Sequence, residues 1–540
     1  MTTAPASGIT TPWFPHSRSY AMPRVLIVLL GLAATAALAQ AADDRPVREK
    51  VRDVERHMKQ IIDDAEASVV AISVSHSTRY PGKIDPANPG KLGDYAAPRG
   101  GPGGGAFDTK LDLGDLSNVA DHPFGSGVVL DEDGLILTNY HLVEGARKIY
   151  VRGARGLGSY ANVHAADARS DLAVLKLLRP LPDLKPMAIA AGRLVAGPKG
   201  EKPTIVRGMW VVALGHPDAA GFPDGIPSAS WGILSAVRRR TQIGSLDTGR
   251  NTPLTQLSSL LQTDARLTLG SSGAPLVNLD GEMIGLSTPA AAITGAETAG
   301  GYAIPMDPNF RRIVAALKEG REVEYGFLGV SFLPPGPGSR RLENGLAILD
   351  VSPGSPAEKS GLAGGGGGGR RGGFDTGLGD TILAVDGQPL REQDDLYLQV
   401  GAALAGSRVK LTVERQGVRR TVEVSLAKTG HDLPFIASVR PAAAFGLRVD
   451  WSSTIQAKAG GGIPMPECVS VRDLEPGSAA AQRFKEIDPE SKGTWLVLAV
   501  DGEAAATPAR FSASTAGKAS VTLRCVNLGD PERTRDVTLP

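Results

Sequence analysis

The sequence predicts a mainly β protein built from several units, and three observations carry that reading. From 124 to about 313, short apolar runs such as GSGVVLD, GLILTNY, KIYVRG, DLAVLKLL and GMWVVALG are separated by glycine-bearing turns. That is the pattern of antiparallel barrels or sandwiches. Two pairs of strings, SPGSPA with ILAVDG and EPGSAA with VLAVDG, then recur in the same order, which marks an internal repeat. Finally, a chain of 540 residues is too long for one hydrophobic core.

Composition excludes some functions. Lys and Arg total 58 against 57 Asp and Glu, so there is no electrostatic footprint for nucleic acid. An apolar share of 42% with 21% charged residues reads as soluble and globular. The two cysteines, Cys468 and Cys525, have no histidine-rich neighbourhood, so no metal site is expected. A bridge between them and two buried free thiols are both open.

Taken in order, the chain begins with a secretory signal over 1–41. Arg18 and Arg24 precede VLIVLLGLAATAAL, and small residues follow in ALAQAADD, with cleavage fitting after Ala39 or Ala41 and Met22 as an alternative start. An uncleaved anchor helix is the alternative, but the run falls short of the ~20 residues of a bilayer span. Export with no stable span after cleavage is the expectation. Residues 42–123 hold one helix over 45–66, a strand in ASVVAISVS, and a flexible Gly/Pro-rich loop over 79–123. NLDGEMIG reads as a hairpin turning at Asp280-Gly281. The repeats occupy about 325–427 and 440–540, and the glycine tract over 364–373 is a flexible insertion in the first.

LTLGSSGAPLV raises the question of chemistry. A serine hydroxyl is a weak nucleophile without a base, and that base needs a third group to hold its tautomer. Of eight histidines, His141, His164 and His216 lie in the β-rich unit. His141 ends the strand of GLILTNY and opens HLVEGA, where a helical turn can hold its ring over a cleft. The acid candidate is Asp171 at the start of an apolar strand, and Asp167 is its competitor. His141, Asp171 and Ser272 follow one of the chain orders in which such a triad occurs. A small-substrate esterase is disfavoured, because no helices interleave the strands.

FGSGVVLDEDGLILTNYHLVEGA, DARSDLAVLKL and LQTDARLTLGSSGAPLVNLDGEMIGLST resemble the trypsin-like domain of the HtrA (Deg) family of serine proteases. YGFLGVSF, SPGSPAEKSGL and GDTILAVDGQPL resemble its first PDZ domain. The resemblance implies a trypsin-like double β-barrel, beginning near 67 and running to 320, followed by two PDZ-like domains of which the second is divergent. It implies His141 as general base, Asp171 as its orienter, Ser272 as nucleophile, and an oxyanion hole from the backbone of Gly270, Ser271 and Ser272. It implies peptide capture by Tyr325, Gly326, Phe327, Leu328, Gly329 and Val330, by strand addition against a helix from 391–404. The implied partners are unfolded polypeptides and exposed C-terminal peptides, in the periplasm or cell envelope. The resemblance also allows a homo-oligomer, a trimer or larger.

The sequence departs from the family at Ser271, where an Asn is usual, at Ala274, where a second glycine is usual, and at His216, where the Asn of a GNP turn is usual. Insertions are expected at 193–207 and 218–228. The walls of the specificity pocket, 267–269 and 287–301, carry no Asp to select a basic side chain, so small apolar residues are the expected preference. The competing reading is a proteolytically silent chaperone or binding protein that keeps the fold.

Overall fold

The computed structural model describes residues 45–75, 124–153, 157–197, 200–216, 226–239, 259–268, 270–288, 301–332, 345–365, 379–390, 393–396, 399–400, 403–430, 436–458, 467–488 and 494–540. The expected signal over 1–41, the loop over 79–123, most of the glycine tract and residues 218–225 lie outside them. The chain divides into two compact units, Met1–Gln60 and Ile61–Pro540. What is described of the first is residues 45–60 of helix α1, Arg45–Glu66, with Val47, Val51, Val54 and Met58 at the helical spacing that predicted it. No helix among the described residues is long and apolar enough to cross a membrane.

In the second unit, six strands close a first barrel: β1 (Val69–Ser75), β2 (Phe124–Val129), β3 (Leu135–Asn139), β4 (Lys148–Arg152), β5 (Gly158–Asp167) and β6 (Leu172–Leu177). They run in the order β5-β4-β1-β2-β3-β6, and β6 pairs back onto β5. The reason is visible in the side chains. Ile72, Ile136, Ile149, Val163 and Leu175 all face one buried core, and β4 alternates buried and half-buried positions with the period of two that a barrel wall needs. Six further strands close a second barrel: β7 (Trp210–Gly215), β8 (Ser228–Arg239), β9 (Leu260–Thr263), β10 (Pro275–Val277), β11 (Met283–Thr288) and β12 (Gly301–Pro305). Its core is built on Val211, Leu234, Leu261, Leu276 and Ile284. The hairpin read at Asp280-Gly281 joins β10 to β11, with Gly281 at φ 77°.

Helix α2 (Tyr140–Val143) is a single turn directly after β3. Helix α3 (Pro308–Lys318) leaves the second barrel with a designed start: the Asp307 carboxylate accepts the N–H groups of Asn309 and Phe310, and proline occupies the first turn.

The two repeats fold alike. In the first, β14 (Val330–Phe332), β15 (Leu346–Val351), β16 (Thr381–Val385), β18 (Arg408–Arg415) and β19 (Val418–Ser425) form a sheet in that order, with β17 (Gln388–Pro389) paired to β16. In addition, β13 (Gly326–Phe327) pairs with β20 (Ala427–Lys428). In the second, β22 (Leu447–Trp451), β23 (Val469–Leu474), β24 (Trp495–Val500), β26 (Val521–Asn527) and β27 (Asp530–Leu539) take the same order, with β25 (Glu503–Ala504) on β24. The recurring strings explain the match. Asp386 and Asp501 sit at φ 48° and 50° with Gly387 and Gly502 beside them, the geometry of a tight hairpin turn with two left-handed residues. Ser355 and Ser478 each cap a short helix, and each lies where a Cβ on Gly329 or Gly446 would collide with it. Cys468 packs with Leu496 and Val526, whereas Cys525 packs in the core on the other face of the sheet. Both are free buried thiols, which decides between the two readings of the cysteines.

One strand was not anticipated. Between the repeats, β21 (Ile436–Ala437) returns to the first barrel, pairing Ile436 with Ala166 and Ala437 with Ala165. Ile436 is buried in that barrel's core.

Candidate active site

The first barrel supplies a histidine and an aspartate. His141 lies in the turn α2, held where β3 ends, and Asp171 precedes β6, the strand paired with β3. Asp171 has a left-handed backbone at φ 55°, a conformation aspartate tolerates better than most residues. Its carbonyl accepts the Tyr140 N–H at 3.0 Å and the Asn139 amide at 3.1 Å. Its carboxylate accepts the His141 backbone N–H at 2.9 Å, and His141 Nδ1 lies 3.0 Å and 2.9 Å from the two carboxylate oxygens. Asp171 is 2% exposed and the His141 side chain 28%. A buried carboxylate thus grips one ring nitrogen, and the other is left for solvent or substrate. Burial, with Glu144 and Asp171 near, raises the neighbouring Tyr140 phenol above its ordinary range, so it stays neutral.

The second barrel supplies the serine. Gly270 and Gly273 take φ 88° and 81° on either side of Ser271 and Ser272, turning the chain sharply ahead of β10. Several bonds hold this turn against the first barrel. The Ser126 N–H donates to the Ser272 carbonyl at 2.7 Å, and Ser126 Oγ donates to the Gly270 carbonyl at 2.9 Å. Ser126 Oγ also accepts the His216 N–H at 2.9 Å. From β11, Ser287 Oγ bonds the Ser271 carbonyl and accepts the Ala274 N–H. Gly125, next to Ser126, is flanked by Leu142 and by the Ser272 carbonyl, so that a Cβ there would meet both. This brings the serine turn beside the turn that carries His141. Ser272 Oγ and His141 are not hydrogen-bonded, the looser geometry common before substrate binds.

The other expected site residues fall into place unevenly. The N–H groups of Gly270 and Ser272 meet no acceptor among the described residues. Ser271 is a correction: its N–H already donates to the Thr268 carbonyl at 3.0 Å, and its hydroxyl accepts the Thr268 N–H at 3.1 Å. It therefore pins the turn and has no donor to offer an oxyanion. His216 is 2% exposed and serves through its backbone. His164 sits on β5, bonded to Ser438 and to the Lys318 carbonyl, away from the serine. Asp167 does not touch His141; its carboxylate accepts Ser170 and the Tyr325 hydroxyl. In the pocket walls Leu267 lies against Gly301, and residues 269 and 289–300 lie outside the described residues.

The six residues expected to bind peptide also divide. Tyr325 is 4% exposed with its hydroxyl on Asp167, and the Gly326 N–H donates to the Ala403 carbonyl at 2.7 Å, so these two are committed within the fold. Phe327 pairs with Ala427. Leu328, Gly329 and Val330 lead into β14, which ends its sheet and has one edge unpaired among the described residues. Of the helix expected over 391–404, Gln393–Leu396 is helical, and residues 391–392, 397–398 and 401–402 lie outside the described residues.

Ser126 and Ser287 were missed by sequence reasoning. The only signal was a small polar residue inside an otherwise apolar strand, GSGVV and MIGLST, where burial demands a hydrogen-bonding duty.

Family models match at two places: a trypsin-like peptidase domain over residues 125–286 and a PDZ domain over residues 326–426. A probable periplasmic serine endoprotease DegP-like of Pseudomonas fluorescens is 28% identical over 487 residues, covering 86% of this chain and 88% of its own. A protein of the same description from Pseudomonas fulva is 30% identical over 420 residues, covering 76% of each. A crystal structure of the serine endoprotease from Yersinia pestis is 24% identical, covers 69% of this chain and 97% of its own, and superposes with a TM-score of 0.40. With a buried aspartate on a histidine beside a glycine-framed serine, two six-stranded barrels and PDZ-like sheets downstream, the chain belongs to the HtrA (DegP-like) family of serine endoproteases.

Proposed function

We propose that this serine endopeptidase works in protein quality control outside the cytoplasm, in the periplasm, cleaving unfolded segments of other proteins. Ser272 attacks the peptide carbonyl, His141 takes the serine proton and returns it to the leaving amine, and Asp171 holds the ring and stabilises the imidazolium. The N–H groups of Gly270 and Ser272 receive the oxyanion. The observation that carries this reading is the His141–Asp171 contact at 2.9 Å, with the serine turn tied alongside through Ser126. The acyl-enzyme chemistry needs no cofactor.

The protease part is assigned to 67–320, a PDZ domain to 325–427 and a divergent one to 440–540, after a signal over 1–41. The edge of β14 that is unpaired among the described residues suits an extended peptide ending near Leu328 and Gly329. Assembly as a trimer or larger accompanies this reading. Its test is a fluorophosphonate probe together with β-casein digestion. Wild type is labelled and digests casein, Ser272→Ala does neither, and Ser271→Ala keeps most activity because its hydroxyl only serves Thr268. A wild type that stays unlabelled with and without an activating peptide overturns the assignment in favour of a silent binding protein.

A further inference from the structure

Asp171 makes the contact that orients His141, but what fixes Asp171 in its left-handed backbone lies four residues upstream. Asp167, at the end of β5, is 7% exposed, and its carboxylate gathers three donors. Two come from Ser170, the N–H at 2.8 Å and the hydroxyl at 2.5 Å. The third is the hydroxyl of Tyr325. Ser170 is 1% exposed and immediately precedes Asp171. The segment from Asp167 to Asp171 is therefore a short loop tied across its base, with a residue at φ 55° as its last member.

Tyr325 does not belong to the barrel. Its backbone is held in the first PDZ-like unit: it bridges to Leu404, and its carbonyl accepts the Thr429 N–H at 2.8 Å. Its ring and hydroxyl reach out of that unit, with the Arg169 guanidinium 4.2 Å from the ring centroid. Burial, reinforced by the Asp167 charge, raises the phenol well above its ordinary range, so it remains a proton donor at every working pH. The charged and titratable groups around this cluster are Asp167, Arg169, Asp171 and, from α2 and its cap, Tyr140 and Glu144.

We infer that Tyr325 is a positioning residue for the His141–Asp171 pair, its hydroxyl fixing Asp167 and, through Ser170, the backbone that presents the Asp171 carboxylate. The inference rests on the proposed roles of His141 and Asp171. It replaces the peptide-binding duty expected of Tyr325 with one directed at the proteolytic centre. Without the hydroxyl, the Asp167 carboxylate keeps two of its three donors, the loop loosens, and the carboxylate sits less closely on the imidazole. A carboxylate that sits less closely holds the imidazole less firmly in the tautomer and orientation the serine needs.

The test compares the full chain with Tyr325→Phe, which removes one oxygen and keeps the buried ring. Expected is a kcat on a fluorogenic peptide lowered roughly tenfold with KM little changed. The proton NMR resonance of the His141 Nδ1–H, which reports its hydrogen bond to Asp171, moves as that bond loosens and needs no turnover. Asp167→Asn reproduces both effects, and the double variant adds little to Asp167→Asn alone, because the Tyr325 hydroxyl acts through that carboxylate. An unchanged His141 Nδ1–H resonance and kcat in Tyr325→Phe overturn the inference, as does full additivity of the two substitutions. A wild type without proteolysis would instead strike the assignment of function, and the NMR resonance would still judge the positioning role.

Discussion

Ser126→Ala is the most informative change that leaves every proposed reacting group in place. The Ser126 hydroxyl donates to the Gly270 carbonyl and accepts the His216 N–H, both at 2.9 Å, and His216 is 2% exposed. Removing one oxygen strands two backbone groups where water has little access. A buried polar group left without a partner costs about 1–3 kcal/mol, so the pair sets a range of about 2–6 kcal/mol, the low end applying if the turn relaxes. For a β unit of this size each kcal/mol lowers Tm by about 2–4 °C. The Gly270 carbonyl also sets the tilt of the peptide that leads into Ser271. A tilt that costs about 1.4 kcal/mol in the transition state lowers kcat tenfold. Thermal melts by circular dichroism, with turnover of a fluorogenic peptide, read both effects. A variant melting within about 1 °C of wild type with an unchanged kcat would show that Ser287 and the Ser126 backbone hold the turn by themselves, and the reasoning would fail.

Three further outcomes follow from the same structure. Gly273→Ala abolishes fluorophosphonate labelling and lowers Tm, because a Cβ at φ 81° would collide with the Ser126 carbonyl oxygen; labelling at the wild-type rate would contradict it. In the first PDZ-like unit, burial pushes the Asp380 carboxyl up, but hydrogen bonds from Arg415 outweigh this and hold it below its ordinary value. Its stabilising contribution is thus full above the unfolded value of about 3.9 and is lost as pH falls through the lower folded value. Between pH 5 and pH 3 the Tm of wild type should consequently fall more steeply than that of Asp380→Asn, and parallel curves would refute the pairing. Burial raises the thiols of Cys468 and Cys525 to about 11 and about 12, so iodoacetamide at pH 8 leaves the native protein unlabelled and dithiothreitol leaves its Tm unchanged; mass spectrometry of intact protein decides.

The barrels and the repeat were legible because their signals are local. Val69–Ser75, Leu135–Asn139 and Leu172–Leu177 are apolar runs bounded by turn residues, and the paired strings of the repeats end in an Asp-Gly that only a tight hairpin would place at positive φ. His141, Asp171 and Ser272 could be singled out by order and context, and the structure brings the first two into contact. What stayed hidden depends on distant partners. Ile436–Ala437 is too short for any period, and its pairing with Ala165 and Ala166 leaves no local trace. Tyr325 was placed in a peptide-binding loop by the resemblance, and nothing nearby in sequence announced Asp167. Ser271 was placed in the oxyanion hole by its neighbours, yet the bond to Thr268 that occupies its N–H depends on how the turn closes.

Strand β21 has a consequence for the order in which the molecule can be made. The strand β4 pairs with β5 over Gly158 to Ala161, and where it stops, Ile436 and Ala437 continue the pairing along Ala165 and Ala166. A chain leaving the ribosome completes both barrels well before that segment exists. Until then the end of β5 presents unsatisfied backbone groups and a gap in the core where Ile436 will lie, next to the Asp167 that ties down the loop of Asp171. A shortened protein ending at residue 427 would be held in that unfinished state permanently, so the smallest fragment with a sound first barrel extends through the connection between the two repeats.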